Sequence, residues 1–497
     1  MHPQKILFAT SEVWPLVKTG GLGDVSGSLP LALRALRHDI RVVLPAYREV
    51  IIRAGKLTLI SVLNIGPQFS VRILEGKLPN TNVTVWLIDS PSHFDRRGGP
   101  YLGLDGADWP DNAERFTVFC RAIELIARNN AGLDWQPDVV HCNDWQTGLV
   151  PALLSTGAAP RPATVFTIHN MAYQGIFPAT TFNNLVTQFQ LPPALWDING
   201  VEFFDQLSFI KGGIAYADML TTVSATYAQE IGTAEFGYGL AGLLSHRADR
   251  LTGILNGVDY SIWDPSHDPL ITQVYDEKAF DAKLVNKTAL QKQYGLPVDA
   301  AVPIIGSIGR MVEQKGVDLI LAMLDELLTQ DVQVVILGSG ETRYEKWFAE
   351  FAARYPNKIA TRHKFSEETA HLIEAGADMF LMPSRFEPCG LNQLYSLRYG
   401  TCPIVRRTGG LADTVVDATE ENLSAGTATG FVFDEPSAQA VFAATLRALE
   451  MYRSRSPQWR QLAITGMKQD FSWRRSAQEY VNVYRRAVSL VIQNQNS

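Results

Sequence analysis

Twice along this chain, short apolar runs of strand length alternate with amphipathic helical stretches, and that repetition constrains the fold more than any other feature. In the first half the candidate strands are Lys5–Ala9, Ile40–Pro45, Val83–Asp89, Asp138–His141, Ala163–Ile168 and Met219–Val223. In the second half they are Pro303–Ser307, Val332–Gly338, Ile359–His363, Asp378–Pro383, Cys402–Val405 and Gly430–Phe433. Continuous apolar runs of this length suit strands buried on both faces of a parallel sheet. Helices are expected between them, at Asp111–Asn130, Asp318–Leu328, Thr342–Ala353 and Glu367–Ala375. The first carries Asp111 and Glu114 at capping-box spacing. Two runs of βα units predict an α/β protein of two doubly wound, Rossmann-like domains, with ligands at the carboxyl ends of the strands and a cleft between the domains. The join falls around Asn256–Pro269, where Gly257, Pro265 and Pro269 punctuate the chain, dividing it into 1–257 and 258–472. From Trp473 onward the chain reads as one long amphipathic helix, with Tyr480, Val483, Tyr484, Val488 and Val491 on one face.

Composition removes several function classes. Lys plus Arg number 44 against 51 Asp plus Glu, a net charge of −7, which gives no overall electrostatic footprint for nucleic acid or an anionic membrane. The four cysteines, Cys120, Cys142, Cys389 and Cys402, are too few for a disulfide framework and none pairs as C-x-x-C. There is no apolar run long enough to span a bilayer. The first residues enter the apolar Ile6–Ala9 run with no basic-then-apolar leader, so the expectation is a cytoplasmic enzyme.

The chemistry is expected in the loops that follow strands. After the first strand comes Lys18-Thr19-Gly20-Gly21-Leu22-Gly23-Asp24-Val25, whose glycines let backbone approach a ligand while a helix starting near Asp24 aims its N–H groups there. A flexible turn with a solvated lysine fits the same residues. The order Thr408-Gly409-Gly410-Leu411 then Asp413 and Val415 repeats this pattern after the fifth strand of the second half. Two such loops suit a phosphate-bearing ligand and its sugar. Arg310 and Lys315, five apart after Pro303–Ser307, can converge on one diphosphate, or lie solvated on the surface. Glu387-Pro388-Cys389-Gly390-Leu391 places a carboxylate before a helix N-terminus, where its anionic form is favoured and sugar hydroxyls find an acceptor; simple capping is the alternative. The loops Asn143-Asp144-Trp145 and His169-Asn170-Met171-Ala172-Tyr173 add the polar and aromatic groups that carbohydrate binding uses. Metal ligation by His141 and His169 has no supporting spacing, and no Asp-x-Asp occurs to hold Mg²⁺ on a diphosphate, so no metal and no cofactor are expected and Arg and Lys carry that charge.

Taken in order, Lys18-Thr19-Gly20-Gly21-Leu22-Gly23-Asp24-Val25, Thr167-Ile168-His169-Asn170, Asn256-Gly257-Val258-Asp259, Gly309-Arg310 with Glu313-Gln314-Lys315-Gly316, and Glu387-Pro388-Cys389-Gly390-Leu391 resemble the bacterial glycogen synthases, ADP-glucose-using relatives of plant starch synthases. The resemblance runs over nearly the whole chain. It implies the GT-B arrangement of two Rossmann-like domains, with the helix of 473–497 returning to the first. It implies metal-independent transfer of glucose from ADP-glucose to the non-reducing-end 4-hydroxyl of an α-1,4-glucan, with retention. By the same resemblance Lys18 contacts the donor, Arg310 and Lys315 hold its diphosphate, and His169, Asn256 and Glu387 surround the glucosyl group with Asp144 close by. Gly20, Gly21, Asp24, Asn170, Tyr173, Cys389, Gly390, Leu391, Thr408, Gly409 and Gly410 are the remaining binding candidates. The wider superfamily often places a second Glu eight residues after the first. Here that position is Tyr395, which favours front-face transfer over a carboxylate nucleophile. A UDP-glucose-using glucan synthase, a starch synthase and a non-catalytic glucan-binding protein are the alternatives.

Overall fold

The computed structural model describes residues 3–157, 160–454 and 457–496. The chain divides into two compact units, Met1–Gly257 with Trp473–Ser497, and Val258–Ser472. The first unit contains β1 (Lys5–Ala9), β2 (Asp39–Pro45), β3 (Thr58–Gly66), β4 (Phe69–Lys77), β5 (Thr84–Asp89), β6 (Val139–Asn143), β7 (Ala163–Ile168), β8 (Ile176–Pro178), β9 (Glu202–Phe203), β10 (Gln206–Ser208), β11 (Met219–Thr222) and β12 (Leu251–Gly253). Nine of them form one sheet in the order β12-β11-β7-β6-β1-β2-β5-β4-β3. Its members are parallel except for the β3–β4 hairpin, which joins β5 antiparallel. Ile6, Leu7, Phe8 and Ala9 of β1 are fully buried, as a central strand covered on both faces must be. The terminal helix Trp473–Asn496 packs on this unit. Tyr484 places its hydroxyl 2.8 Å from His141 Nδ1, and Ser476 donates to the Leu255 carbonyl at 2.6 Å.

The second unit carries β13 (Ile304–Ile308), β14 (Gln333–Leu337), β15 (Ile359–Arg362), β16 (Met379–Met382), β17 (Cys402–Arg406) and β18 (Phe431–Phe433). They form a fully parallel sheet in the order β15-β14-β13-β16-β17-β18. Side chains alternate between its faces. Ile305, Val334, Ile336, Met379, Leu381 and Ile404 pack against the helices Val317–Leu327 and Ala438–Arg453. Ile304, Val335, Leu337, Phe380 and Val405 pack on the other side against Lys283–Tyr294 and Glu367–Gly376. Both faces are therefore apolar, which is why an inner strand such as β16 reads as an unbroken hydrophobic run.

Several local expectations change. The hairpin of β3 and β4, the small β8–β10–β9 sheet and β12 were not anticipated from the sequence. The helix after the first glycine loop starts at Gly21, three residues before Asp24. Asp111 and Glu114 form no capping box: Arg96 takes the Asp111 carboxylate at 2.8 and 2.5 Å, and Glu114 meets His93 Nε2 at 3.1 Å. A guanidinium fork offers a carboxylate two charged donors, which outcompetes one backbone N–H.

Candidate functional site

In the first unit β1 pairs with β2 on one side and β6 on the other, and β6 pairs with β7, so β1, β6 and β7 lie side by side and their loops share one edge of the sheet. From β1 comes the Lys18–Asp24 segment. Thr19, Gly20 and Gly21 are exposed, and a Cβ on Gly20 would meet nothing within 4 Å, so open space lies over the N-terminus of the 15-residue helix Gly21–Ala35. Lys18 Nζ sits 2.7 Å from Asp24 Oδ1 in the helix's first turn. From β6 comes Asp144, whose Oδ1 accepts the His169 N–H at 2.8 Å. Burial pushes the Asp144 carboxyl up to about 7, opposed by the backbone N–H groups of His169 and Asn170 and assisted by the charge of Glu12. Asp144 thus holds the loop after β7 in place. Its neighbour Asn143 accepts His169 Nε2–H at 2.9 Å. Burial lowers the His169 pKa to about 3, so the ring is neutral, protonated on Nε2, with the lone pair on Nδ1. Asn170 Oδ1 caps the turn at Ala172 N at 3.0 Å, and Tyr173 is exposed beside it. Asn256 is buried, and its Oδ1 lacks a hydrogen-bond partner among the described residues, a costly state for a buried acceptor.

In the second unit the switch point falls between β13 and β16, and the loops after β13, β16 and β17 are again neighbours. Arg310 is exposed two residues past β13. Lys315 Nζ lies 2.6 Å from Glu387 Oε2, which also accepts the Ser384 hydroxyl at 2.9 Å. Gln314 laces the same two loops together, accepting Arg385 N–H at 2.8 Å and donating to the Phe386 carbonyl at 3.2 Å. Cys389 and Thr408 are buried, while Gly390 (φ +72°) and the partly buried Leu391 lead into the helix Asn392–Arg398. Tyr395 is no second acid: its ring stacks on Trp263 at a centroid distance of 3.9 Å, and Trp263 stacks in turn on His371.

Two sequence readings need correction here. Glu387 does not sit at a helix N-terminus, because the helix starts five residues later at Asn392; Lys315 and Ser384 hold its carboxylate instead. Gly410 does not offer its N–H to a phosphate, since it donates to the Glu387 and Pro388 carbonyls at 3.1 and 3.2 Å. The Gly409-Gly410 pair serves close packing: a Cβ on either would fall 2.0–2.1 Å from the carbonyl oxygen of Glu387 or Cys389. His141 is no metal ligand, because its nitrogens meet Tyr484 Oη at 2.8 Å and Thr167 Oγ1 at 2.6 Å. Among the described residues no group of three His, Cys, Asp or Glu side chains is placed to hold a metal ion, and no helix is long and apolar enough to cross a membrane. Sequence reasoning overlooked Ser384 and Glu12 as site-building residues. Their partners are 3 and up to 89 residues away, so only the Ser384-to-Glu387 spacing left a local trace.

Comparison with known proteins places this geometry. Residues 5–246 match the starch synthase catalytic domain family, and residues 288–463 match glycosyl transferases group 1. The chain is 55 % identical to glycogen synthase 2 of Nitrosococcus oceani over 486 residues, covering 98 % of each chain. It is 54 % identical to glycogen synthase 1 of Methylococcus capsulatus, covering 98 % of this chain and 97 % of the relative. Among solved structures, the catalytic domain of starch synthase IV from Arabidopsis thaliana bound to ADP and acarbose superposes with a TM-score of 0.87 at 32 % identity, covering 98 % of this chain and all of that one. The chain belongs to the glycogen and starch synthase family, glycosyltransferases of the two-domain GT-B α/β fold.

Proposed function

We propose that this protein is a cytoplasmic glycogen synthase that transfers glucose from ADP-glucose to the non-reducing-end 4-hydroxyl of an α-1,4-glucan, with retention at the anomeric carbon. The observation that carries the reading is the Lys315–Glu387 pair, a cation and a buried carboxylate held 2.6 Å apart by loops from adjacent parallel strands. The names of the relatives, and the ADP in the starch synthase IV structure, support the choice of donor. In this reading 258–472 binds the nucleotide sugar, 1–257 serves the acceptor, and Lys18 adds a cation for donor phosphate.

As the bond from the anomeric carbon to the diphosphate breaks, negative charge grows on the leaving oxygen, and Arg310 and Lys315 stabilise it. The acceptor oxygen attacks from the same face, and its proton passes to that leaving phosphate oxygen. Glu387 accepts hydrogen bonds from glucosyl hydroxyls. His169, neutral and with a bare Nδ1, orients the sugar without adding charge, and Asn256 Oδ1 gains a partner.

Purified enzyme supplied with glycogen should incorporate glucose from ADP-glucose far faster than from UDP-glucose. Absence of incorporation from ADP-glucose, or a preference for UDP-glucose, refutes the reading. Activity should also be unchanged by EDTA, because side-chain cations neutralise the diphosphate; an enzyme silenced by EDTA and revived by Mg²⁺ would contradict that assignment.

A further inference from the structure

Glu12 is a buried carboxylate, 3 % exposed, to which the mechanism above gives no role. Its Oε2 accepts the N–H groups of Thr19 at 2.5 Å and Gly20 at 3.2 Å. Its Oε1 accepts the Thr19 hydroxyl at 2.5 Å and the Tyr101 hydroxyl at 2.7 Å. Tyr101 is itself fixed by Ser11, 2.7 Å away. All four donors are neutral, and three belong to the single dipeptide that separates Lys18 from Gly21. A buried charge is tolerated only when its lone pairs are filled, and four donors fill these. The dipeptide's other hold is local: the Gly20 carbonyl accepts the Gly23 N–H at 3.2 Å. Thr19, Gly20 and Gly21 are exposed, so no core packing sets their course; the turn beneath them is closed by Val13 and Val17 and by Trp14 N–H to the Gly23 carbonyl at 3.0 Å.

We propose that Glu12 is the positioning residue of the donor loop, a buried peg that fixes the Thr19–Gly20 backbone and thereby aims Lys18 and the start of the helix Gly21–Ala35 at donor phosphate. The proposal rests on the assignment of Lys18 to the donor made above. A carboxylate beneath a phosphate-binding loop opposes the ligand's charge, so its place there is explained by the backbone it organises.

The test combines proteolysis and kinetics on the full chain, with wild type, Glu12→Ala, Glu12→Gln, Lys18→Ala and the Glu12→Ala/Lys18→Ala double variant. Trypsin cleaves after Lys18, and the amide N–H of that bond is the one Glu12 holds. Cleavage there should rise about tenfold or more in Glu12→Ala, the equivalent of one lost charge-assisted hydrogen bond. Glu12→Gln keeps one acceptor oxygen and should restore most of the protection; it also remains informative if the alanine variant fails to fold. With ADP-glucose, Glu12→Ala should lower kcat/KM about 10²-fold while leaving the KM for glucan unchanged. In the Lys18→Ala background the same change should cost little, because the group being aimed is gone. Unchanged cleavage at Lys18 overturns the peg, and additive kinetic losses or an equal effect on both substrates overturn its role toward the donor. A wild-type enzyme that ignores ADP-glucose refutes the proposed function instead, and the cleavage arm then decides alone whether Glu12 holds the loop.

Discussion

Replacing Lys315 by alanine should lower kcat by about 10²–10³ while changing the KM for ADP-glucose much less, the typical loss when one fixed donor to a developing oxyanion is removed. Charge on the diphosphate is greater in the transition state than in the bound donor, so a cation fixed there favours the transition state differentially. The structure adds a second reason. Lys315 is the counter-ion of Glu387, whose side chain is only 8 % exposed, so the alanine variant also leaves a buried carboxylate with Ser384 as its remaining side-chain partner. Lys315→Arg keeps the charge but not the compact ammonium that fits between Glu387 and its loop, and should recover part of the loss. Steady-state kinetics on variants shown to be folded by circular dichroism will decide. A normal kcat with a raised KM would reduce Lys315 to a docking charge.

Acid should destabilise the first unit well before its carboxylates are fully protonated. His141 is wholly buried and burial lowers its pKa to about 3, as it does that of His169. Both values lie below the ordinary 6.5, so the unfolded chain takes up protons that the folded chain refuses. Stability is therefore intact above pH 6.5 and is lost as pH falls toward 3, by about 1.4 kcal/mol per unit for each ring. Asp144, raised to about 7, has the opposite sign between pH 4 and 7, because there the folded state holds the extra proton. Two histidines less one aspartate leave a net loss of about 1.4 kcal/mol per unit, or about 3 kcal/mol between pH 6.5 and 4. Urea denaturation across that range measures it. His141→Phe should remove most of the net slope, and a flat profile for the natural protein would show that these rings are not the acid-sensitive groups.

What the sequence made legible follows from burial. β1, β7 and the inner strands β14 and β16 of the second unit are buried on both faces, so their apolar runs stand out, and β1 and β7 begin and end where the pattern does. The hairpin was illegible because it is half exposed: Leu59 and Val62 of β3 face solvent at 53 % and 57 %, and neither unbroken hydrophobicity nor strict alternation survives. Candidate residues were legible as types at strand ends, whereas their pairings were not. Lys315 and Glu387 are 72 residues apart, and Glu12 and Tyr101 are 89 apart, distances over which no local spacing rule reaches. Tyr395 shows the converse: its departure from the superfamily pattern is plain in the sequence, but the Trp263 stack that fills the position needed the fold.

The chain enters and leaves the second unit at one place. Val258 donates its N–H to the Phe471 carbonyl at 2.7 Å and bridges to Ser472, so the two ends of a continuous 215-residue segment touch (residues 258–472). Topologically this unit is an insertion, a cassette spliced into a host whose helix Trp473–Asn496 is made only after the insert is complete. The host therefore cannot finish its own sheet packing until synthesis has passed Trp473, since the helix that supplies Tyr484 to His141 follows the whole insert in the chain. The cassette, whose core among the described residues draws on none outside its own span, has everything it needs while still near the ribosome. Order of synthesis and order of folding are thus inverted for the two halves of this enzyme: the unit begun first is completed last.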